Sequence, residues 1–415
     1  MRIIVAGAGV IGLASAYRLA KSGCEVVILD ARRAGSAATH GNAAKIALAE
    51  SGPVPAPGVI LQSLKWMLKP DSPLYVKPSL SPGFAKFMLN MARHCTTRDF
   101  RQGLETHLRL AEGTADLFDD WSRDGVAFEM HKAGTLLAYE TRERYDEHLD
   151  SLDIFERFGM VPEHLHGDAI QAREPALTGR IRHGLFFPHD RQVEPDSLTQ
   201  GLLKRCQELG VEIHEHTRLL RFLRRGDAVT GVLTDKGEIA GTTLLLAAGA
   251  WTARMTRQLG IPLPIRPGKG YSVDYSPAPV RLRTSLTLED ARVAVTPLNG
   301  FLRLAGTMEF GELEETINPR RVAAIKKAAA LALAGWDNPS GEGPPWAGLR
   351  PMTPDGLPII GQLYPLPNVY VASGHGMLGL TLAPATAEII TEAITQQRVP
   401  LVAEAVSPRR FTRRY

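Results

Sequence analysis

The sequence predicts an α/β fold: a Rossmann-like dinucleotide-binding domain with a second α+β domain of mixed antiparallel sheet plus helices. Three observations carry that expectation. "RIIVAGAGVIG" joins a continuous apolar run to glycines at 7, 9 and 12. "EVVILD" adds a second apolar run that closes on an acid, Asp30. The pattern then abandons strand–helix alternation and resumes it only in the later part of the chain.

The first run, Arg2–Ala6, is apolar throughout, as befits a parallel strand covered on both faces. Gly7 permits the tight turn after it, Gly9 lets the backbone approach a pyrophosphate, and Gly12 lets the following helix pack on the strand. The helix N-terminus brings free N–H groups and the positive end of a dipole to the phosphates. That helix reads on to Gly23, a C′ glycine, and Asp30 stands where an acid accepts ribose hydroxyls. NAD and FAD share this fingerprint, so the turn alone leaves the choice open.

Next comes "ARRAGSAATHGNAAKIALAESGPVPAPG", a loop too long to be a mere connection. From Leu61 to Gly125 the chain is helical and polar, and Leu108, Leu110, Leu117, Phe118 and Trp121 fall at helical spacing. "AGTLLAYE" is strand-like and "TRERYDEHLDSLDIFERFG" a charged helix. "DSLTQGLLKRCQELGVEIHEHT" restores helix, stop and strand, "AVTGVLTDKGEIAG" is a β-meander, and "TTLLLAAGAW" is a buried strand. "IPLPIRPGKGYSVDY" and "TSLTLEDARVAVTPLNGFLRLAGTMEF" read as strands of a separate sheet, covered by an Ala-rich helix. "NVYVASGHGMLGLTLAPATAEIITEAI" closes with strand, glycine-rich turn and helix. The division that follows gives 1–60, 180–260 and 345–415 to a discontinuous dinucleotide-binding domain and 61–179 with 261–344 to the second domain.

Composition narrows the function classes. Of the net charge of +4, all four positive charges are matched by the arginines of the last nine residues, "SPRRFTRRY". The rest of the chain is balanced, which argues against a nucleic-acid groove; the tail itself reads as solvated, or as an attraction to anionic lipid. Cys24, Cys95 and Cys206 are scattered, so neither disulfides nor a metal site are expected. The first apolar run is a strand rather than a signal peptide, and no run approaches the roughly 20 apolar residues of a spanning helix. A cytoplasmic location is expected, with peripheral contact at the inner face of a membrane left open. Gly58–Pro78, "GVILQSLKWMLKPDSPLYVKP", mixes aromatic and basic residues in a way that suits a membrane surface, a lid or an ordinary packed helix.

From the N-terminal fingerprint through "GNAAKIA", "PAPG", "REPAL", "AAGAW", "KGYSVDY", "LAGTMEF", "GLRPMTPDGLPIIG" and "SGHGMLGLTLAPATAEII", the chain resembles the FAD-dependent D-amino acid oxidase superfamily. The likeness is strongest to its bacterial D-amino acid dehydrogenases, with glycine oxidase and hydroxyproline dehydrogenase nearby. The resemblance implies FAD as cofactor. Gly7, Gly9, Gly12 and Asp30 would hold its ADP half, and Gly41, Asn42 and Ala43 would pass beside the pyrophosphate and ring. His214–Thr217 would run on the adenine side and Gly249 past the pyrophosphate. Gly374, His375, Gly376, Met377 and Gly379 would meet the pyrimidine end of the flavin, where a helix dipole favours negative charge.

The implied reaction is oxidative deamination of a D-amino acid to an imino and then a keto acid and ammonia, by hydride transfer from Cα to flavin N5. The electrons pass on to a quinone or another acceptor. Arg350 would grip the substrate carboxylate, which a guanidinium matches bidentately; its structural alternative is pairing with Asp355 or Glu309. Tyr271 and Met308 would line the substrate pocket, Met308 also reading as ordinary core. His375 would touch substrate or pack on the flavin, and His40 would hydrogen-bond within its loop. Relatives carry glycine or glutamine where this chain has Ala44 and Lys45. Lys45 therefore has two readings, a partner of substrate or flavin and a snorkelling surface residue. Three other functions stay open: an imino or N-substituted amino acid enzyme (hydroxyproline, proline, glycine or sarcosine), an NAD-dependent dehydrogenase, and a flavin-binding assembly protein.

Overall fold

The computed structural model describes residues 1–60, 72–77, 79, 81–336, 339–396 and 400–412. Among these, six strands form one sheet in the order Glu212–His214, Glu25–Leu29, Arg2–Ala6, Thr243–Leu246, Val369–Ser373, Ile359–Gln362. All neighbours are parallel except the last pair. Alternation decides which face each residue serves. Ile3 and Val5 enter one core with helices Val10–Lys21, Pro195–Glu208 and Gly379–Thr395. Ile4 and Ala6 enter another, with the meander Leu219–Ala240 and helix Thr252–Gln258. Both faces are covered, which is why the strands read as unbroken apolar runs.

A nine-stranded sheet stands beside it. Its path runs Trp346–Met352, Arg266–Tyr275, Phe301–Phe310, Val293–Leu298, Ser285–Leu288, Thr135–Tyr139, His183–Phe187, Glu163–His166, with Leu74–Val76 paired to Phe301–Phe310. One face carries Tyr271, Val273, Leu286, Val293, Val295 and Leu304, packed on helix Pro319–Ala332. The other face carries small residues, Gly270, Ala294, Ala305 and Gly348, and borders a cavity. A short sheet of Lys45–Ile46, Arg191–Val193 and Met130–His131 ties the loop after Asp30 to the rest.

Strand pairing interleaves the chain more finely than the sequence suggests. His183–Phe187 and Trp346–Met352 pair in the larger sheet, although they fall in ranges given above to the dinucleotide part. Conversely, Phe118 and Trp121 of helix Thr114–Arg123 bury in the same core as Ile3, because that helix packs on Gly379–Thr395. Within the amphipathic Gly58–Pro78 stretch, 61–71 and Pro78 lie outside the described residues; Leu74–Val76 is a strand.

The basic tail is not simply solvated. Arg410 donates to Asp355 at 2.7 Å and to the Leu357 carbonyl at 2.9 Å. No described helix is long and apolar enough to cross a membrane.

Candidate active site

Residues from both sheets and from the intervening loops line one cavity of about 1610 Å³. Its first wall is the glycine turn. Gly7 adopts φ +115°, and a Cβ there would stand 2.4 Å from the Ala247 carbonyl oxygen. A Cβ on Gly12 would stand 1.9 Å from the Gly7 carbonyl oxygen, so Gly12 serves helix–turn packing rather than the cavity itself. Gly9 is different: its nearest neighbour would be Thr39 Oγ1 at 3.4 Å, and it faces the cavity. The same Thr39 hydroxyl accepts from Val10 N–H at 3.2 Å, fixing the start of the helix. Asp30 accepts from Ala8 N–H and Arg32 N–H, both at 2.8 Å. Burial pushes its carboxyl up, against the pull of those two donors. This backbone cradle at a helix N-terminus fits the diphosphate of a dinucleotide.

The loop at 39–46 is clamped from the larger sheet. Buried Arg303 forms two parallel bonds of 2.8 Å to Asp274 and still donates to the carbonyls of His40 and Asn42, at 2.9 and 3.2 Å. Thr296 donates to the Ala43 carbonyl at 2.7 Å. Trp346 covers Gly41 so closely that a Cβ there would lie 2.1 Å from the indole. Neither Arg303 nor Trp346 was found by reading motifs. Their signal was weak: a charged residue amid an apolar strand, and an aromatic two places before a glycine.

Arg350 projects from Trp346–Met352 into the cavity. Its guanidinium lies over Gly270, where a Cβ would fall 2.2 Å from Nη1. Nη1 donates to the Thr307 carbonyl at 2.8 Å. Thr307 holds φ +68° inside a strand, beside a register shift at Lys269–Tyr271. Such strain in a β-branched residue concentrates at functional sites, and here it accompanies a carbonyl that receives the guanidinium. The two structural partners weighed for Arg350 are engaged elsewhere: Asp355 holds Arg410, and Glu309 holds Lys269 and the Tyr271 hydroxyl. Among the described residues Arg350 has no carboxylate partner. Removal from solvent pushes its guanidinium down to about 10, still protonated at neutral pH.

Most of the expected site residues meet in this cavity. Gly7, Gly9, Asp30, Gly41, Asn42, Ala43, Lys45, Gly249, Met308, Arg350, His375, Gly376, Met377 and Gly379 all line it. Tyr271 does not. It lies on the opposite face, in the core under helix Pro319–Ala332, donating to Glu309 at 2.8 Å. The alternation Tyr271, Val273, Tyr275 against Gly270, Ser272, Asp274 is the signal that finds this. Gly374 (φ +78°) is also outside the lining and packs on Thr353.

Lys45 is on the wall but buried, its ammonium bonded to Glu50 at 3.0 Å and to Thr287. It neither snorkels nor offers a free charge. His375 is 3% exposed and shares a 3.0 Å bond with Thr386. Burial, with His107 adding to it, pushes its imidazole down to about 3, so it stays neutral and accepts or donates only as imidazole. His40 pairs with Asp196 outside the cavity. His214–Thr217 sits just beside it, and the next two residues, Arg218 and Leu219, line it. No cluster able to hold a metal occurs among the described residues.

A family model described as FAD dependent oxidoreductase (DAO) matches residues 2–393. The chain belongs to that family. FAD is therefore its cofactor, the cradle around Gly7 and Gly9 fits it, and the NAD alternative falls. Among curated proteins the chain is 33% identical to D-amino acid dehydrogenase of Methylobacterium nodulans, covering 99% of each chain. It is 31% identical to that of Bradyrhizobium diazoefficiens over the full length of both. Among solved structures it is similar to L-proline dehydrogenase from P. horikoshii, with TM-score 0.77, 21% identity, and 99% and 98% of the two chains covered. It is also similar to glycine oxidase from Bacillus cereus, with TM-score 0.73, 20% identity and 98% of each chain. At those identities the structures speak for the fold.

Proposed function

We propose that this FAD-dependent oxidoreductase oxidises the Cα–N bond of D-amino acids, yielding an imino acid that water converts to a keto acid and ammonia. The observation that carries this is Arg350: a half-buried guanidinium on the cavity wall whose charge no described carboxylate meets. An α-carboxylate satisfies it bidentately, and leaving it unmet costs several kcal/mol. Full-length curated relatives named D-amino acid dehydrogenase support the stereochemical class and an acceptor other than O₂, such as a quinone.

The chain's own contribution is positioning. Arg350 holds one end of the substrate, and the floor of Gly270, Gly348, Ala294 and Ala305 leaves room for it beside the cofactor. Met308, whose sulfur lies 4.0 Å from Arg350 Nη1, limits how far the guanidinium swings. Fixing a reactant in this way is worth about 7–11 kcal/mol at best. Helix Gly379–Thr395 points its N-terminus at the cavity, where its dipole favours negative charge. His375, held neutral, adds no charge of its own there. FAD, when bound, supplies the two-electron acceptor.

Anaerobic mixing of the holoenzyme with D-, L- and imino acids, watched by flavin absorbance, tests the reading. Bleaching by D-amino acids is the expected result. Bleaching by proline or sarcosine alone would move the function to N-substituted substrates, and an inert flavin across the panel would remove amino acids altogether.

A further inference from the structure

Across the larger sheet, the cavity continues away from Arg350 into a second polar region. Its members sit in one lateral row. One residue beyond the strand pairs Val293↔Gly306, Leu288↔Val293 and Leu288↔Ala138, the register aligns Thr307, Arg292, Glu289 and Tyr139 on successive strands. Thr307 is the residue whose carbonyl anchors Arg350. With neighbouring strands about 4.8 Å apart, Glu289 lies two strands, or about 10 Å, from that anchor. Glu289, Arg292, Tyr139, Glu50 and His148 all line the cavity.

The chemistry of this region is unfinished. Tyr139 is 1% exposed, yet its hydroxyl has no hydrogen-bond partner among the described residues, and neither has His148 Nε2. Burial pushes the Glu289 carboxyl up, with Arg292 pulling the other way at 2.5 Å. The second cation, Lys45, is spent on Glu50 and Thr287. Among the described residues lining this end of the cavity, Glu50, Glu143, Glu147, Asp150, Glu289 and Asp290 outnumber Lys45, Arg101, Arg144 and Arg292, so the balance of charge is negative and a cation would meet it. A buried polar group left in that state is costly and marks a place for a ligand.

We propose that this row is the subsite for the substrate's side chain, and that it selects amino acids ending in an ammonium or guanidinium group. The inference rests on the reading that Arg350 takes the α-carboxylate. From there an extended lysine-like chain, six bonds or about 7.5 Å from carboxylate carbon to ammonium nitrogen, comes within a hydrogen bond of about 2.8 Å of the Glu289 position. Its cationic end donates to Glu289, and the Tyr139 hydroxyl and His148 accept the remaining protons.

The test separates binding from turnover. Calorimetric titration of the holoenzyme compares 6-aminohexanoate, hexanoate and adipate, which share one carboxylate and chain length and differ at the far end. The expected result is that 6-aminohexanoate binds at least tenfold tighter than either. Glu289→Gln should bring the ratio between 6-aminohexanoate and hexanoate close to one. Tyr139→Phe, which removes only an unpartnered hydroxyl and spares the packing, should lower the ratio severalfold and guards against misfolding of the first variant. Hexanoate or adipate binding best, or ratios that neither substitution moves, overturns the subsite. Should 6-aminohexanoate be preferred while no D-amino acid bleaches the flavin, the subsite stands and the oxidation reading falls.

Discussion

Arg350, half-buried, and Lys45, buried, are two cations on the wall of one cavity, and their surroundings make them opposites. Lys45 Nζ is met by Glu50 at 3.0 Å and by Thr287, a closed set that needs no ligand. Arg350 is met by one carbonyl, over a glycine that leaves it room. A charge on the wall that has its counter-ion is architecture, and one without it is a receptor. The difference lies in what surrounds the cation, not in the cation.

The largest effect that sharpens this contrast is on activity. Arg350→Ala should raise the substrate KM about 100-fold, read by steady-state kinetics, while the flavin remains bound; a threefold change would make Arg350 structural and break the comparison. Lys45→Met should act on stability instead. Burial alone would push the Glu50 carboxyl up, and Lys45 is what pulls it down, so removing the ammonium leaves a poorly compensated carboxylate. A loss of about 3 kcal/mol in urea unfolding is expected, with a KM change far below that of Arg350→Ala.

A third, smaller effect uses pH. His375 has a folded pKa of about 3, set by burial, against about 6.5 unfolded. Below 6.5 the unfolded chain binds a proton that the folded chain refuses. Stability from this site is therefore complete above pH 6.5 and is lost as pH falls toward 3, by up to about 1.4 kcal/mol per unit. Urea unfolding at pH 7 and pH 5 should show the wild type losing stability relative to His375→Gln; equal losses would mean the imidazole protonates in place. The smallest effect is Tyr271→Phe. Losing the bond to Glu309 should cost about 1 kcal/mol in urea unfolding and leave KM unchanged, since the ring faces the other side of the sheet.

How much was legible follows from the range of the forces involved. Gly7 and Gly12 could be read because each answers a clash with backbone a few residues or one strand away, and Gly9 because the spacing of all three is set by one turn. The loop 41–43 and the turn 376–379, named by resemblance, line the cavity. The facing of Tyr271 was missed because a motif names a residue without its parity in the sheet. The role of Lys45 was missed because Glu50 and Thr287 meet it only after a distant strand has been laid beside the loop. Arg303 and Trp346 were missed for the same reason: each acts on residues some 260 to 300 positions away, a distance that no local pattern records.

The central strand Arg2–Ala6 has Thr243–Leu246 along its second edge. During synthesis, at about 5–20 residues per second, that edge stays bare for tens of seconds, and the last wall of the cavity, Gly376–Thr381, emerges later still. The newborn polypeptide therefore has no finished berth for its cofactor until Gly376–Thr381 has been made. Loading follows the closure of that edge and the arrival of the Gly376–Thr381 wall.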